Sequence, residues 1–78
     1  MSVTVLYFAS LRDAAGVDWE VLECPVSLEA LYQTLRTRHG FVLGREKLRV
    51  AVDGAFANWS DPVADGAEIA FIPPVSGG

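Results

Sequence analysis

The sequence predicts an α+β fold in which one main helix covers one face of a single mixed sheet. Short segments rich in β-branched and aromatic residues lie towards both ends of the chain, as in strands. Between them, leucines recur at the spacing of an amphipathic helix. A chain of 78 residues can build one compact core and has no room for a second. We therefore predict a single domain over residues 1–78, with a flexible tail at 73–78.

The first part of the chain predicts two strands separated by a short helix. Val3 to Phe8 is an apolar run that indicates a strand with both faces at least partly covered. Ala9 to Ala15 contains good helix formers and ends at Gly16, which favours one or two helical turns. Val17 to Val21, with Trp19 at its centre, alternates apolar and acidic residues and predicts a strand whose apolar face is buried. These two strands form the first ribbon.

The main helix is predicted from Leu28 to His39. Ser27 before it is a good N-cap, and Glu29 in the first turn interacts favourably with the helix dipole. Gly40 follows the last turn as a C-cap. Both ends of the helix are therefore marked in the sequence.

The second half predicts further strands. Leu48 to Val52 alternates in the strand period and ends at an Asp53-Gly54 turn, while Ala67 to Ile72 repeats the pattern. Phe56 to Trp59 is predicted as a short extra strand. Pro73 and Pro74 end the last strand, because proline cannot donate to a sheet ladder. The order of ribbon, helix and further strands is the outline of the β-grasp, or ubiquitin-like, fold.

Composition excludes several classes of protein. Ten acidic residues against six basic ones give a net charge of −4, which disfavours nucleic acid as a partner. The apolar runs stay short of the ~20 residues that a membrane span requires, so we predict no membrane association. Nothing at the N-terminus resembles a secretory signal, and we expect a cytoplasmic protein. The single cysteine, Cys24, cannot form an internal disulfide, so apolar packing must provide stability.

The sequence offers no catalytic constellation. His39 is the only histidine, and at a helix end it is better explained as a favourable cation or cap than as a catalytic group. Cys24 beside Pro25 is better explained by packing than by nucleophilic chemistry. Asp61 and Asp65 suit turns. No metal-ligand spacing or phosphate-binding loop is present, and we expect neither a metal nor a stably bound cofactor. Whether the chain counts as an enzyme is left open, since catalysis by the chain alone is not expected.

The aromatic residues are too many for one thin core layer. We expect some of them to form an exposed binding patch, although burial remains the simpler explanation for any one of them. The residues in question are Tyr7, Phe8, Trp19, Phe56, Trp59 and Phe71.

The end of the chain is the most informative feature. Residues 73–78 reach about 20 Å when extended, and Pro73 and Pro74 stiffen the base so that the tail projects from the domain. Gly77 and Gly78 have no side chains, so they could pass a narrow channel. A terminal carboxylate is ionised near pH 7 and is a poor electrophile, so chemistry at Gly78 requires an activating enzyme. These properties indicate a carrier.

Three segments carry a resemblance to a known family: Val5-Leu6-Tyr7-Phe8-Ala9 with Arg12, Asp65-Gly66-x-Glu68-x-Ala70-Phe71, and Pro73-Pro74-Val75-Ser76-Gly77-Gly78. Together they resemble the small subunits of molybdopterin synthase, and the similarity covers essentially the whole chain. The proline-rich ending is more specific than a bare Gly-Gly, which ubiquitin-like modifiers and the thiamine-pathway sulfur carrier share.

The resemblance implies a sulfur carrier. An E1-like adenylyltransferase would adenylate Gly78 with ATP, and a sulfur donor protein would convert it to a thiocarboxylate. The tail would then enter the large subunit of molybdopterin synthase. There, two sulfur transfers turn cyclic pyranopterin monophosphate into molybdopterin.

The resemblance also assigns partner contacts. It implies that Phe8, Phe56 and Ile72 form an apolar contact with the partners and that Arg12 makes a polar contact with the activating enzyme. Ile72 stands where the family has an aromatic residue, and core burial remains an alternative for Phe8 and Phe56. The tail residues Pro73, Pro74, Val75 and Ser76 are expected to bind the partner, with Gly77 giving Gly78 access to its site.

Three other functions remain open. The chain could carry sulfur for thiamine or another metabolite, although its tail argues against thiamine. It could be a ubiquitin-like modifier attached to lysines through Gly78, since a Gly-Gly terminus permits that too. A plain interaction domain with an inert tail would keep its function after deletion of Gly77 and Gly78.

Overall fold

The computed structural model describes residues 1–74 of the chain. Within them a five-stranded sheet and two α-helices follow one another, with a 3-10 turn before the third strand. The elements are β1 (Ser2–Tyr7), α1 (Ala9–Ala15), β2 (Trp19–Glu23), α2 (Leu28–His39), the 3-10 turn (Arg45–Lys47), β3 (Arg49–Val52), β4 (Ala55–Phe56) and β5 (Glu68–Ile72).

The strands lie in the order β2-β1-β5-β3-β4. The central pair, β1 and β5, is parallel, and the other neighbouring strands are antiparallel. The predicted mixed sheet is therefore confirmed. Because β1 and β5 run in the same direction, Tyr7 at the end of β1 stands beside Phe71 near the end of β5. The chain thus leaves the sheet next to the start of α1.

The core lies between the sheet and α2. Alternate residues of the strands meet the apolar side of α2, on which Leu28 and Leu35 are fully buried. Tyr32 of α2 packs edge-on against Phe71 of β5, with ring centroids 5.1 Å apart. Trp59, from the loop after β4, stacks on Phe71 at 5.8 Å. This aromatic packing confirms that α2 covers one face of the sheet.

The ends of α2 follow their sequence signals. The side chain of Ser27 accepts a hydrogen bond from the Ala30 N–H at 3.1 Å. Gly40 has a φ of 71° and donates its N–H to the Arg36 carbonyl. His39 is the last helical residue, but its ring contacts the Glu20 carboxylate at 2.7 Å. The prediction of a helix-end role for His39 therefore missed its partner, which comes from β2.

Two strand predictions in the second half have different outcomes. Asp53 and Gly54 both have positive φ, 50° and 86°, as a tight two-residue hairpin turn requires, and they join β3 to β4. The extra strand predicted from Phe56 to Trp59 is wrong in its bounds, since β4 covers only Ala55–Phe56. Trp59 instead packs against the core, partly buried, and stacks on Phe71.

The prediction for the face of β2 was wrong. Trp19 and Val21 were expected to be buried, yet they are 57% and 56% exposed. The register places Glu20 opposite Val5 and Leu22 opposite Val3, so these residues face α2. Glu20 tolerates this position because Tyr7 and His39 both hydrogen-bond its carboxylate.

Candidate functional site

The base of the tail is fixed at the end of β5. Ile72 is the last residue of the strand and pairs with Arg49 of β3. Pro73 and Pro74 follow and end the strand as predicted, because neither has an N–H for the ladder. The tail therefore starts from the central part of the sheet, beside α1. The predicted tail residues Val75, Ser76, Gly77 and Gly78 lie outside the described residues.

A shallow groove of about 610 Å³ lies against the tail base. The end of β5 forms one wall and the first turn of α1 with the residue before it forms the other. Its surface is mostly apolar, with the Ser10 hydroxyl and the Asp13 carboxylate as the polar side chains. The lining residues are Phe8, Ala9, Ser10, Asp13, Ile72, Pro73 and Pro74.

Phe8 is held in the groove wall by the backbone of α1. It is extended, with a φ of −128°, and its carbonyl accepts the N–H groups of Leu11 and Arg12 at 3.1 and 3.4 Å. Leu11 is buried and anchors α1 to the core. The Phe8 side chain remains 45% exposed. The sequence left open whether Phe8 is buried in the core or exposed to a partner, and the structure shows that it is exposed.

Ala9, the next residue, has a left-handed backbone with a φ of 49°. This conformation is unfavourable for a residue with a Cβ. It lets the chain turn directly from β1 into α1, so that Phe8 is presented at the groove instead of continuing the strand. No sequence signal distinguished Ala9 from the other alanines of α1.

Phe56 lies on the same face of the sheet, two strands from β5. It is 68% exposed, and the Arg49 guanidinium lies 5.3 Å from its ring centroid. With neighbouring strands about 4.8 Å apart, β4 lies about 10 Å from β5. Arg49 bridges that distance, because it pairs with Ile72 on one side and covers Phe56 on the other. Sequence reasoning missed Arg49, because only the register of β3 in the folded sheet brings it next to Ile72 and Phe56.

Arg12 lies one helical turn after Phe8. Its guanidinium forms an ion pair with Asp18 at 3.8 Å, and both side chains are more than half exposed. Such an exposed pair contributes little to stability, so the guanidinium remains available to a second carboxylate. The structure thus brings Phe8, Ile72, Pro73 and Pro74 together, with Arg12 and Phe56 on opposite sides of them.

The strongest electrostatic perturbation lies away from this groove. Burial, and then the hydrogen bond to Glu20, raise the pKa of Tyr7 well above its ordinary value. For Glu20, burial opposes ionisation, but hydrogen bonds from Tyr7 and His39 and the charges of His39 and Arg38 outweigh it and lower the pKa. The cluster joins β1, β2 and the end of α2, so we interpret it as structural.

The remaining chemistry-bearing side chains are also accounted for by structure. The Cys24 thiol is half-buried and donates to the Val63 carbonyl at 3.2 Å, which confirms a packing role. Asp61 accepts from the Asn58 N–H, three residues earlier, as expected of a turn residue. Asp65 instead accepts from the Ser2 N–H, so its side chain connects its loop to the start of β1 and does not hold a local turn. Within residues 1–74, no three His, Cys, Asp or Glu side chains converge on a possible metal position. The same residues contain no helix long and apolar enough to cross a membrane.

In a comparison with protein families, residues 5–78, nearly the whole chain, match the model of the ThiS family. The molybdopterin synthase sulfur carrier subunit of Escherichia coli (strain K12) is 38% identical over 97% of this chain and 99% of its own. The human protein of the same name is 37% identical, over 97% of this chain and 93% of its own.

Solved structures agree with the fold. A Pyrococcus furiosus protein assigned as molybdopterin converting factor subunit 1 superposes with a TM-score of 0.81 at 31% identity, covering 96% of this chain and 99% of its own. SAMP1 of Haloferax volcanii gives 0.82 at 26% identity over the full length of both chains. A complex of subunits 1 and 2 of the Helicobacter pylori molybdopterin-converting factor gives 0.72 at 24% identity, again over both full lengths. The last supports the β-grasp fold alone.

Proposed function

We propose that this chain, which belongs to the ThiS family, is the sulfur carrier subunit of a molybdopterin synthase. The observation that carries the proposal is the position of the tail base. Pro73 and Pro74 leave the sheet beside exposed Phe8, so the residues that follow start from an apolar surface fit for a partner. The full-length similarity to curated sulfur carrier subunits supports the same assignment.

The chemistry of the proposal resides at Gly78 as the terminal residue. Its carboxylate attacks the α-phosphorus of ATP in an E1-like enzyme, which releases pyrophosphate and leaves an acyl-adenylate. The donor protein then delivers sulfur at the oxidation level of sulfide, which attacks the acyl carbon of Gly78 and breaks its bond to AMP, so that AMP leaves and a thiocarboxylate remains on Gly78. ATP is consumed by the activating enzyme, and the carrier itself holds no cofactor. The absence of side chains at Gly77 and Gly78 suits a narrow active site.

The body of the domain supplies the docking surface. In the proposal, Phe8 and Ile72 contact the large subunit of the synthase beside the entering tail, and Phe56 extends this apolar contact across the sheet. Arg12 meets a carboxylate of the activating enzyme. Exposed aromatic side chains supply large contact areas at interfaces, which favours this role for Phe8 and Phe56 over a purely structural one. We place the reaction in the cytoplasm.

Intact mass spectrometry tests the carrier chemistry. The protein is incubated with its E1-like enzyme, ATP and a sulfide source, beside a variant that lacks Gly78. We expect the wild type to gain the mass difference between one sulfur and one oxygen and the variant to gain nothing. Lack of any gain in the wild type, with the enzyme shown to be active on another substrate, would refute the carrier role.

The acceptor is tested separately. The thiocarboxylated protein is mixed with the large subunit and cyclic pyranopterin monophosphate, and molybdopterin is measured. Molybdopterin formation identifies the pathway. A thiocarboxylate that forms but is not consumed would retain the carrier chemistry and assign it to another sulfur metabolite.

A protein modifier is the second candidate, favoured by the similarity to SAMP1, the small archaeal modifier protein 1 of Haloferax volcanii. A modifier would be joined through the Gly78 carboxyl to a lysine amine. Mass spectrometry of digested lysate distinguishes the two functions, because a modifier leaves its C-terminal residues on target lysines. A carrier that only transfers sulfur leaves no C-terminal residues on lysines.

A further inference from the structure

The free edge of β2 is an unused pairing surface, and this inference does not depend on the proposed function. Among the described strands, β2 is bonded on one side only, to β1. The bonds from Tyr7 N–H to Asp18 and from Cys24 N–H to Met1 set the alternation of the ladder. The N–H and C=O groups of Trp19, Val21 and Glu23 therefore point away from β1. These three residues define the β2 edge.

Two of the features that protect an edge strand against pairing, proline and a β-bulge, are missing from the β2 edge. β2 contains no proline, and its register with β1 runs without a bulge from Trp19 to Glu23. Its carboxylate at Glu20 faces inward and is already bonded to Tyr7 and His39. Trp19 and Val21 are more than half exposed on the outer face. A regular strand with exposed apolar side chains is a template for another strand.

We propose that the β2 edge pairs with the β2 edge of a second copy of this chain, antiparallel and centred on Val21. This register uses each outward N–H and C=O of the strand. It places Val21 opposite Val21 of the second copy and Trp19 opposite its Glu23. Val21 then makes an apolar pair on the outer face, while the Trp19 indole N–H is within reach of a carboxylate acceptor.

The inner face is compatible with the same pairing. A groove of about 500 Å³ runs between β2 and α2, with apolar walls that include Leu22 and Leu31. Leu22 is half-buried, and the two copies of it stand diagonally across the symmetry axis, where they extend the apolar contact. The residue directly opposite Leu22 in this register is Glu20 of the second copy, so the apolar contact on the inner face is the diagonal one between the two Leu22 side chains.

Charge opposes the pairing only weakly. Each chain carries −4, and the two Glu20 residues stand only about 7 Å apart along the strands, but each Glu20 carboxylate lies beside Arg38 and His39 of its own chain. The two Glu23 side chains stand about 14 Å apart along the strands, which exceeds the ~8 Å Debye length at physiological ionic strength. Pairing along an edge this short makes an interface smaller than the ~1,000 Å² of a stable one, so we expect weak self-association. We expect a dissociation constant of about 100 µM.

The paired edge leaves the proposed tail site open. β2 and β5 are separated by β1, and the groove at Phe8 and Pro73 lies at the end of β5. Self-association and tail chemistry can therefore be measured independently.

Sedimentation velocity from about 10 µM to about 1 mM tests the proposal. Val21→Lys places like charges opposite each other, so we expect dimerisation to weaken about tenfold or more. Val42→Lys is the matched control, because Val42 is 88% exposed in a loop and gains the same charge. We expect it to change dimerisation less than twofold. A wild type that stays monomeric at the highest concentration, or a dimer that Val21→Lys leaves intact, overturns the proposal.

Disulfide trapping tests the register. In a Cys24→Ala background, Val21→Cys places two thiols across the axis, at a Cα separation of about 5.5 Å that suits a disulfide. We expect a covalent dimer under mild oxidation, formed at least about tenfold faster than with Val42→Cys in the same background. Equal rates for the two variants would overturn the register.

Discussion

The two faces of the sheet carry the same kinds of residue, but the inner face is buried and the outer face is exposed. On the inner face, Val5 and Phe71 have no exposed surface at all. On the outer face, Phe8, Phe56 and Trp19 retain between 45% and 68% of theirs. The difference arises from α2, which covers only one face. Aromatic residues on the inner face therefore provide stability, and those on the outer face are available for partners.

Two phenylalanines give the largest contrast between the faces. Phe71→Ala removes a ring that packs on Tyr32 and Trp59, so we expect a loss of about 3–5 kcal/mol in the free energy of unfolding. Phe56→Ala removes an exposed ring, and we expect a change within about 0.5 kcal/mol. Urea unfolding followed by circular dichroism measures both. Equal losses in the two variants would contradict the division of the faces.

Binding should show the reverse pattern. Phe8→Ala is expected to weaken the complex with the large synthase subunit about tenfold or more, as truncation of an interface aromatic does. Stability should hardly change, because Phe8 supports α1 through its backbone carbonyl. Isothermal titration calorimetry measures the affinity, and Val42→Ala provides a control on an exposed apolar residue that does not line the groove. An unchanged affinity for Phe8→Ala would remove Phe8 from the interface.

The carboxylate on the inner face makes stability depend on pH. Because the pKa of Glu20 is lowered in the fold, its contribution is present above its ordinary value of 4.5 and is lost as the pH falls through the folded-state pKa. The raised pKa of Tyr7 has the opposite sign, so its contribution is complete below 10.0 and declines at higher pH. We expect a plateau of stability between these limits.

Glu20→Gln tests the acidic limb of that profile. The variant replaces charge-assisted hydrogen bonds by neutral ones, so we expect it to be about 1–2 kcal/mol less stable at pH 7. The difference should shrink as Glu20 in the wild type becomes protonated. Urea unfolding at a series of pH values measures it, with Glu23→Gln on the exposed side of β2 as the control. A difference that is independent of pH would assign the acidic limb to other groups.

The sequence predicted the elements better than it predicted the faces. The bounds of α1 and α2 could be predicted because their caps are local: Gly16, Ser27 and Gly40 act within a few residues. The face of β2 could not be predicted, since a period of two defines two faces without saying which one meets the core. Glu20 faces inward because Tyr7 and His39, distant in sequence, supply its hydrogen bonds.

The candidate site shows the same limit. Proline chemistry predicted where β5 ends, but the chain alone could not decide whether Phe8 and Phe56 were buried. That outcome depends on the parallel pairing of β1 with β5 and on the register that places Arg49 beside Ile72. Both are long-range features. The sequence therefore allowed these residues to be proposed as a site, but it did not predict how they are arranged around the tail base.

The smallest effect on stability is expected at Ala9, in the turn from β1 into α1. Its φ of 49° is unfavourable for alanine and readily adopted by glycine, so Ala9→Gly should stabilise the fold by about 0.5–1 kcal/mol. Ala14→Gly is the matched control, since Ala14 lies within α1 and glycine there should cost about 1 kcal/mol. Opposite signs in urea unfolding would establish that the turn presenting Phe8 is held against a local preference. The same sign in both variants would mean that glycine acts at Ala9 only through helix propensity, and the exposed position of Phe8 would then carry no strain.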